Sequence, residues 1–187
     1  GARVRAVAMT TISDLHLRQG NWRAALESAR AAEDFFSQVS SLMSICACAI
    51  GNGVEAHLRL QDFEGAVNAI ERLTQLSREH ASSATESHVR QSVAIYDSFV
   101  GNTAQDIQAL KEIAQSPTIT LRESTLQHLI DIYERVGEPE KALESTRELL
   151  ASLRSARREV TEADLGQIDI ASFDEDDSEV RDLITRS

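Results

Sequence analysis

The segment Gly137-Glu138-Pro139-Glu140-Lys141-Ala142-Leu143 has three counterparts earlier in the chain. In each of them, a glycine or a polar residue is followed two positions later by a bulky or turn-forming residue, and usually by a small residue three positions after that. The counterparts are Gly20-Asn21-Trp22…Ala25-Leu26, Gln61-Asp62-Phe63…Ala66-Val67 and Gly101-Asn102-Thr103…Asp106-Ile107. Successive segments start 41, 40 and 36 residues apart. Self-similarity at such a period indicates an array of repeats, each too small to bury its apolar face alone.

The composition of the 187 residues favours helices over strands. Aromatic residues make up only 4%, and the chain has only eight glycines and two prolines to interrupt helices. The hydrophobic share of 42% is enough to form a buried core. No apolar run approaches the roughly 18 residues of a membrane helix. We therefore predict an all-α protein that does not associate with membranes.

Apolar residues at helical spacing predict eight helices that form four hairpins. The predicted helices are 4–19, 22–38, 41–60, 63–79, 84–100, 103–115, 120–136 and 139–157. They group into units at about 4–38, 41–79, 84–115 and 120–157, which together form one repeat domain over residues 1–157.

Glycines mark the predicted ends of three of these helices. Gly20, Gly101 and Gly137 each follow a helical pattern, and a helix commonly ends in a left-handed residue, a conformation that glycine adopts without steric cost. The segment Gly51-Asn52-Gly53 resembles a turn, but helical spacing continues through it, so we predict that the third helix remains unbroken there.

The fourth unit contains a longer motif, Leu126-x-x-Leu129-Ile130-x-x-Tyr133-x-x-x-Gly137-x-x-x-x-Ala142-Leu143. With Gly20, Trp22 and Ala25 of the first unit, it resembles the tetratricopeptide repeat (TPR) over about residues 6–157. The resemblance implies a right-handed superhelix of αα-hairpins, a TPR-like solenoid of about four repeats. Long-repeat arrays of this kind occur in bacterial regulatory and signalling proteins. The chain departs from the family where Gln61 replaces glycine, where Asp106 replaces alanine, and in exceeding the period of about 34 residues.

The resemblance also implies that the first helix of each hairpin lines a concave groove. The groove-facing candidates are Thr10, Asp14, Arg18, Asn52, Glu55, Arg59, His88, Gln91, Gln127, His128, Asp131 and Arg135. We expect this polar row to bind an extended peptide or a helix, with the arginines binding carboxylates and the amides binding backbone groups. The alternative is that these residues are simply the solvated faces of amphipathic helices. The Lys and Asn carboxylate clamp of some TPR domains is not expected, because the required lysines are absent.

Cys46 and Cys48 stand two residues apart in a predicted helix, so their side chains point about 200° from each other. They are poorly placed to share a metal or to form a disulfide, and we interpret them as buried free thiols of a reducing compartment, the cytoplasm.

His16 and His57 occupy the position of Tyr133 in the fourth unit, which favours a packing role. The sequence has no zinc-type histidine pair, phosphate loop or nucleophile elbow. We predict no catalytic residue, metal or cofactor.

Charge is concentrated at the C-terminus. The formal net charge is -11, of which residues 158–187 contribute -7. The remaining 157 residues have no excess of basic side chains, so nucleic acid is not an expected partner. Three interpretations of the acidic tail remain open: a cap in which Ile168, Ile170 and Phe173 cover the end of the array, a linker to another domain, or a solvated tail.

The sequence therefore predicts a non-enzymatic scaffold or sensory module that binds a protein or a peptide in its groove. The chain begins with Gly1 rather than Met, and we expect it to be a segment of a larger bacterial regulatory or signalling protein. The alternative is a homodimerisation unit that pairs attached output domains through exposed apolar faces of the end helices.

Overall fold

The computed structural model describes residues 2–36, 43–101, 103–116 and 118–162. Within these ranges the chain forms eight helices and no strand, which confirms the all-α prediction. The helices are α1 (Ala2–Arg18), α2 (Trp22–Phe36), α3 (Met43–Arg59), α4 (Phe63–Glu79), α5 (Ser83–Val100), α6 (Thr103–Ile113), α7 (Ile119–Val136) and α8 (Pro139–Glu162). None of the described helices is both long and apolar enough to cross a membrane. The predicted C-terminal cluster of Ile168, Ile170 and Phe173 lies outside the described residues.

Left-handed residues end the helices where the sequence pattern predicts them. Gly20, Gly101 and Gly137 have φ angles of +75°, +113° and +78°. Gln61 replaces glycine in the second unit, and it adopts the same conformation with a φ of +60°. A side chain in this region is strained by its Cβ atom, at a cost of about 1–2 kcal/mol. The helix α3 runs unbroken through Gly51-Asn52-Gly53, as predicted.

Consecutive helices pack against each other in pairs. The pairs are α1 with α2, α3 with α4, α5 with α6, and α7 with α8, and the second helix of each of the first three pairs also packs against the next helix, α2 against α3 as extensively as within any pair. The first helix of each pair also contacts the first helix of the next pair, so that α1 meets α3, α3 meets α5, and α5 meets α7 in a smaller contact. These contacts between first helices place the predicted groove residues on neighbouring elements.

One hydrophobic core extends through helices α2 to α8. Its largest fully buried side chains include Phe36, Leu58, Leu73, Leu110 and Tyr133. Burial of a Leu or Phe side chain of this kind contributes about 1.5–3 kcal/mol. A smaller cluster of Leu17, Ala25 and Ala56 joins α1 to α2 and α3. The small residues Ala25, Ala66 and Ala142 are all buried, as close approach of paired helices requires.

His57 has the packing role that its position predicts. It is buried at the end of α3, and its Nδ1 atom lies 2.7 Å from Oδ2 of Asp62. The other oxygen of Asp62 accepts the backbone N–H of Gly65 at 2.9 Å and so caps α4. A Cβ atom at Gly65 would collide with both the His57 ring and the Asp62 carboxylate. Glycine at this position therefore permits the close packing of α3 on the start of α4.

Asp106 departs from the small-residue pattern at a structural cost. It occupies the position of Ala25, Ala66 and Ala142, and it is only 5% exposed. Its Oδ2 atom has no hydrogen-bond partner in the described part of the chain. Burial, and to a smaller extent the charge of Asp97, raises the pKa of the Asp106 carboxyl. The folded state therefore favours the protonated form of this residue more than the unfolded state does.

We predict that Asp106→Ala stabilises the protein at pH 7 by about 1–3 kcal/mol, because it removes a buried carboxylate whose Oδ2 atom has no partner among the described residues. Because the pKa of Asp106 is higher in the folded state, protonation of this residue adds to stability at acid pH. This contribution is lost as the pH rises through the pKa that Asp106 has in the folded state. The advantage of Asp106→Ala should therefore shrink on acidification. Urea unfolding between pH 4 and 8 measures both effects, with exposed Glu71→Ala as the control. Equal effects of the two substitutions would contradict the assignment.

Candidate functional site

The predicted groove residues come from the four odd-numbered helices. Helix α1 carries Thr10, Asp14 and Arg18; α3 carries Asn52, Glu55 and Arg59; α5 carries His88 and Gln91; and α7 carries Gln127, His128, Asp131 and Arg135. The structure brings one subset into direct contact. Side chains of α3 and α7, which belong to the second and fourth helix pairs, meet across α5.

Arg59 is the centre of this contact. Its guanidinium forms an ion pair with Asp131 of α7, and its Nη2 atom also lies 3.4 Å from Oε1 of Glu55. The same guanidinium lies over two aromatic rings, with Cζ at 5.5 Å from the ring centroid of Trp22 and 5.6 Å from that of Phe99. Each such cation–π contact contributes about 0.5–2 kcal/mol. Arg59 thus connects residues of all four helix pairs.

Glu55 and His128 form a second link between α3 and α7. His128 Nε2 lies 3.3 Å from Glu55 Oε2, and the two side chains are only 8% and 17% exposed. Burial alone would raise the pKa of Glu55, but attraction and hydrogen bonds from His128 and Arg59 outweigh burial and lower it. On the outer side, Gln127 Nε2 donates to Asp131 Oδ1 at 3.3 Å. The carboxylates of this cluster therefore have partners within the chain.

We predict that Glu55→Gln lowers the stability by about 1–3 kcal/mol at pH 7, because the amide loses charge-assisted bonds to Arg59 and His128. Because the pKa of Glu55 is lower in the folded state, its contribution to stability is present at pH values above the pKa of the unfolded state. It is lost as the pH falls through the pKa of the folded state. The deficit of Glu55→Gln should shrink in acid, which is measurable by urea unfolding extended well below the ordinary Glu pKa of about 4.3. Glu27→Gln, at an exposed position of α2, is the matched control. A pH-independent deficit, or none, would contradict this account.

At the α1 end, the groove candidates bond to their own neighbours. Arg18 Nε donates to Asp14 Oδ2 at 2.8 Å, an exposed pair one helical turn apart. Asn52 Nδ2 lies 3.4 Å from the backbone oxygen of Thr10 and so links α3 to α1. The exposed ion pair of Arg18 and Asp14 contributes at most about 0.5 kcal/mol. Arg18 is therefore more accessible to a partner than Asn52.

The α5 candidates participate in helix packing. Gln91 is buried, and its Nε2 atom donates to the hydroxyls of Ser124 and Thr125 on α7, both at 2.8 Å. Burial lowers the pKa of His88 to about 4, which leaves the imidazole neutral at pH 7. Gln91 thus joins α5 to α7, and that internal role limits what it offers to a partner.

Arg135 differs from Arg59. It is exposed near the end of α7, and its Nη2 atom lies 3.4 Å from the hydroxyl of Ser98. Its Cζ atom lies 4.9 Å from the ring centroid of Phe99. No carboxylate of the described residues lies within ion-pair distance, 4.0 Å, of its guanidinium. Arg135 is thus a cation whose charge is not neutralised by a local partner.

A cavity of about 140 Å³ lies beside Arg135. Its walls combine the charged cluster with apolar side chains of α5 and α7, namely Ile95, Phe99 and Ile132. This apolar wall is not evident from the sequence, because residues at core spacing on α5 and α7 give no signal that they border an opening. Trp22 and Phe99 were likewise not predicted to contact Arg59.

The thiols of Cys46 and Cys48 are free; Cys46 is buried as predicted, whereas Cys48 is only partly buried. Burial raises the pKa of each to about 11, with smaller contributions from Glu33 at Cys46 and from Asp14 at Cys48. The reactive thiolate is therefore scarce at neutral pH. Within the described ranges, no group of three or more His, Cys, Asp or Glu residues is arranged to bind a metal ion.

A comparison with protein-family models finds no matching model, and a comparison with curated proteins finds no match. Among solved structures, the chain is similar to "Crystal structure of BtubC (BKLC) from P. vanneervenii", with 15% sequence identity and a TM-score of 0.46. The match covers 84% of this chain and 66% of that chain. A likeness at this level carries no argument about fold family or function.

Proposed function

We propose that the chain is a non-enzymatic scaffold or sensory module that binds a protein or a peptide along the first helices of its four pairs. In this proposal the pairs form a right-handed TPR-like superhelix, and the chain serves a larger cytoplasmic regulatory or signalling protein of bacteria. The contacts of α1 with α3, α3 with α5, and α5 with α7 support this arrangement. Stacked hairpins bring successive first helices together in this order.

The observation that carries the proposal is Arg135, an exposed guanidinium beside a cavity of mixed polar and apolar lining and without a carboxylate within ion-pair distance in the described part of the chain. The cavity of about 140 Å³ is smaller than the roughly 300–1,000 Å³ of ordinary small-molecule sites. It has room for one small side chain of a bound segment. An acidic group next to that side chain would pair with Arg135, whose planar donors favour carboxylates.

The internal ion pairs change which arginine is expected to contact the partner. Arg59 already pairs with Asp131 and Glu55, so its removal would leave two carboxylates without their cation. Its predicted role as an anchor for a partner remains a prediction. Arg135 and, more weakly, Arg18 are the accessible cations of the groove in this proposal.

Selection of a phage-displayed random peptide library against the chain tests this proposal. We expect enriched peptides to contain Asp or Glu, and the binding of a synthetic copy to weaken at least tenfold in Arg135→Met. Replacement of the peptide's acidic residue by its amide should produce a similar loss. Arg90→Met is the matched control, because Arg90 lies exposed on α5 and pairs with Glu112 of α6. Equal binding by wild type and Arg135→Met, or no enrichment at all, would contradict the proposal.

The alternative, a homodimerisation unit, is favoured by exposed apolar residues on the two end helices. They are Val4, Val7, Ile12 and Leu15 on α1, and Leu143, Leu150 and Leu153 on α8. Terminal repeats of an array normally present polar outer faces. Light scattering on the chain used for peptide selection separates the two functions, because a tight dimer without peptide favours the alternative.

A further inference from the structure

Helix α8 exposes three leucines on one face. Leu143, Leu150 and Leu153 are 52%, 46% and 40% exposed. At about 100° per residue, their side chains lie within an arc of about 80° around the helix axis. Exposed apolar residues that stand singly are common, whereas contiguous apolar patches mark interaction surfaces. These three residues define the leucine face of α8.

The equivalent positions of the earlier units show what covers such a face. The units are aligned at their small-residue position, which is occupied by Ala25, Ala66, Asp106 and Ala142. In this alignment Leu153 corresponds to Phe36 of α2, which is fully buried where α2 packs against α3. It also corresponds to Ser77 of α4, whose hydroxyl donates to Oγ1 of Thr85 on α5 at 3.4 Å. The first helix of the next pair therefore contacts this position.

The position of Leu150 is covered in the same way. It corresponds to Ala114, which directly follows α6 and is 5% exposed, and to partly buried residues of α2 and α4. The position of Leu143 is less completely covered, because its counterpart Val67 is 37% exposed. Within the described ranges no further helix follows α8. The leucine face thus continues an interface that the earlier units bury.

The segment that follows α8 has the composition and the reach to cover this face. Residues 163–187 contain seven large apolar side chains: Leu165, Ile168, Ile170, Phe173, Val180, Leu183 and Ile184. Fully extended, a segment of this length spans up to about 80 Å. The part of α8 from Leu143 to Glu162 is only about 29 Å long. The segment can therefore return along the whole leucine face, and its covalent attachment gives it a local concentration on the order of millimolar.

Charge favours this segment over a second copy of the chain. Exposed Arg147 and Arg154 lie within about 60° of the first two leucines around the axis of α8. Residues 163–187 carry eight acidic and two basic side chains, and so have the opposite charge. The exposed apolar face of α1 in a second copy would bring three arginines and one aspartate, and a second α8 would bring the same two arginines. Like charges would oppose both of these contacts.

We propose that residues 163–187 bind to the leucine face of α8 in the same chain. Their apolar side chains cover the leucines, and their carboxylates lie near Arg147 and Arg154. The segment thereby takes the place that the next helix pair has in the earlier units, and it covers the apolar end of the array. This contact does not involve the groove or Arg135, and it keeps α8 from contacting other copies.

NMR spectroscopy of the full chain tests the contact directly. We expect nuclear Overhauser effects between the apolar side chains of residues 163–187 and the methyl groups of the leucine face. A mixture of isotope-labelled and unlabelled chains separates the two sources of such effects. Effects within one chain support the proposal, whereas effects only between chains would assign the face to a second copy and overturn it. Absence of any effect at the leucine face would also overturn it.

Substitutions in the full chain test the same contact by its stability. Leu150→Gln and Phe173→Ser should each lower the unfolding temperature by about 2–4 °C. The double variant should lose less than the sum, because both substitutions remove one contact. Leu15→Gln is the matched control, because Leu15 is 49% exposed on α1, and its effect should add to that of Phe173→Ser. An unchanged unfolding temperature in Phe173→Ser, or additive effects of Leu150→Gln and Phe173→Ser, would overturn the proposal.

Discussion

The partly buried guanidinium of Arg59 is the constraint on which the arrangement of the helices depends. A cation removed from water requires a carboxylate and polarisable neighbours, and Arg59 obtains them from three other helix pairs: Trp22 from the first, Phe99 from the third and Asp131 from the fourth. The contact fixes the distance between α3 and α7, which lie two pairs apart in the chain. The polar side chains that contact Arg59 already have partners within the chain. Arg135, at the edge of this cluster, is exposed.

The pKa values of two buried carboxylates shift in opposite directions in this fold. Glu55 has two partners, His128 and the cationic Arg59, and their attraction and hydrogen bonds outweigh the loss of solvation. Among the described residues Asp106 has no such partner, and it lies near Asp97, so burial and repulsion act in the same direction. The first residue links a side chain of α3 to one of α7, whereas the second occupies a position that alanine fills in the other units. The packing around Asp106 does not explain why a carboxylate rather than alanine occupies this position.

Local features of the fold were predictable from the sequence, because they depend on residues close together in the chain. Helical periodicity located the eight helices, and the punctuating glycines located left-handed ends at Gly20, Gly101 and Gly137. The contact of Arg59 with Asp131 joins residues 72 positions apart, and no local pattern specifies that distance. The apolar wall beside Arg135 also depends on the relative placement of helices. A single sequence therefore predicted candidate side chains, but not which of them have partners.

The central claim is that α3 and α7 meet through Arg59 and Asp131, and a double-mutant cycle tests it most directly. Urea unfolding of wild type, Arg59→Met, Asp131→Asn and the double variant gives the coupling free energy between the two side chains. The account predicts a coupling of about 1–3 kcal/mol, within the range for residues in contact. The exposed pair of Arg18 and Asp14 is the reference, and it should give about 0.5 kcal/mol or less. Additive effects of Arg59→Met and Asp131→Asn would contradict the account.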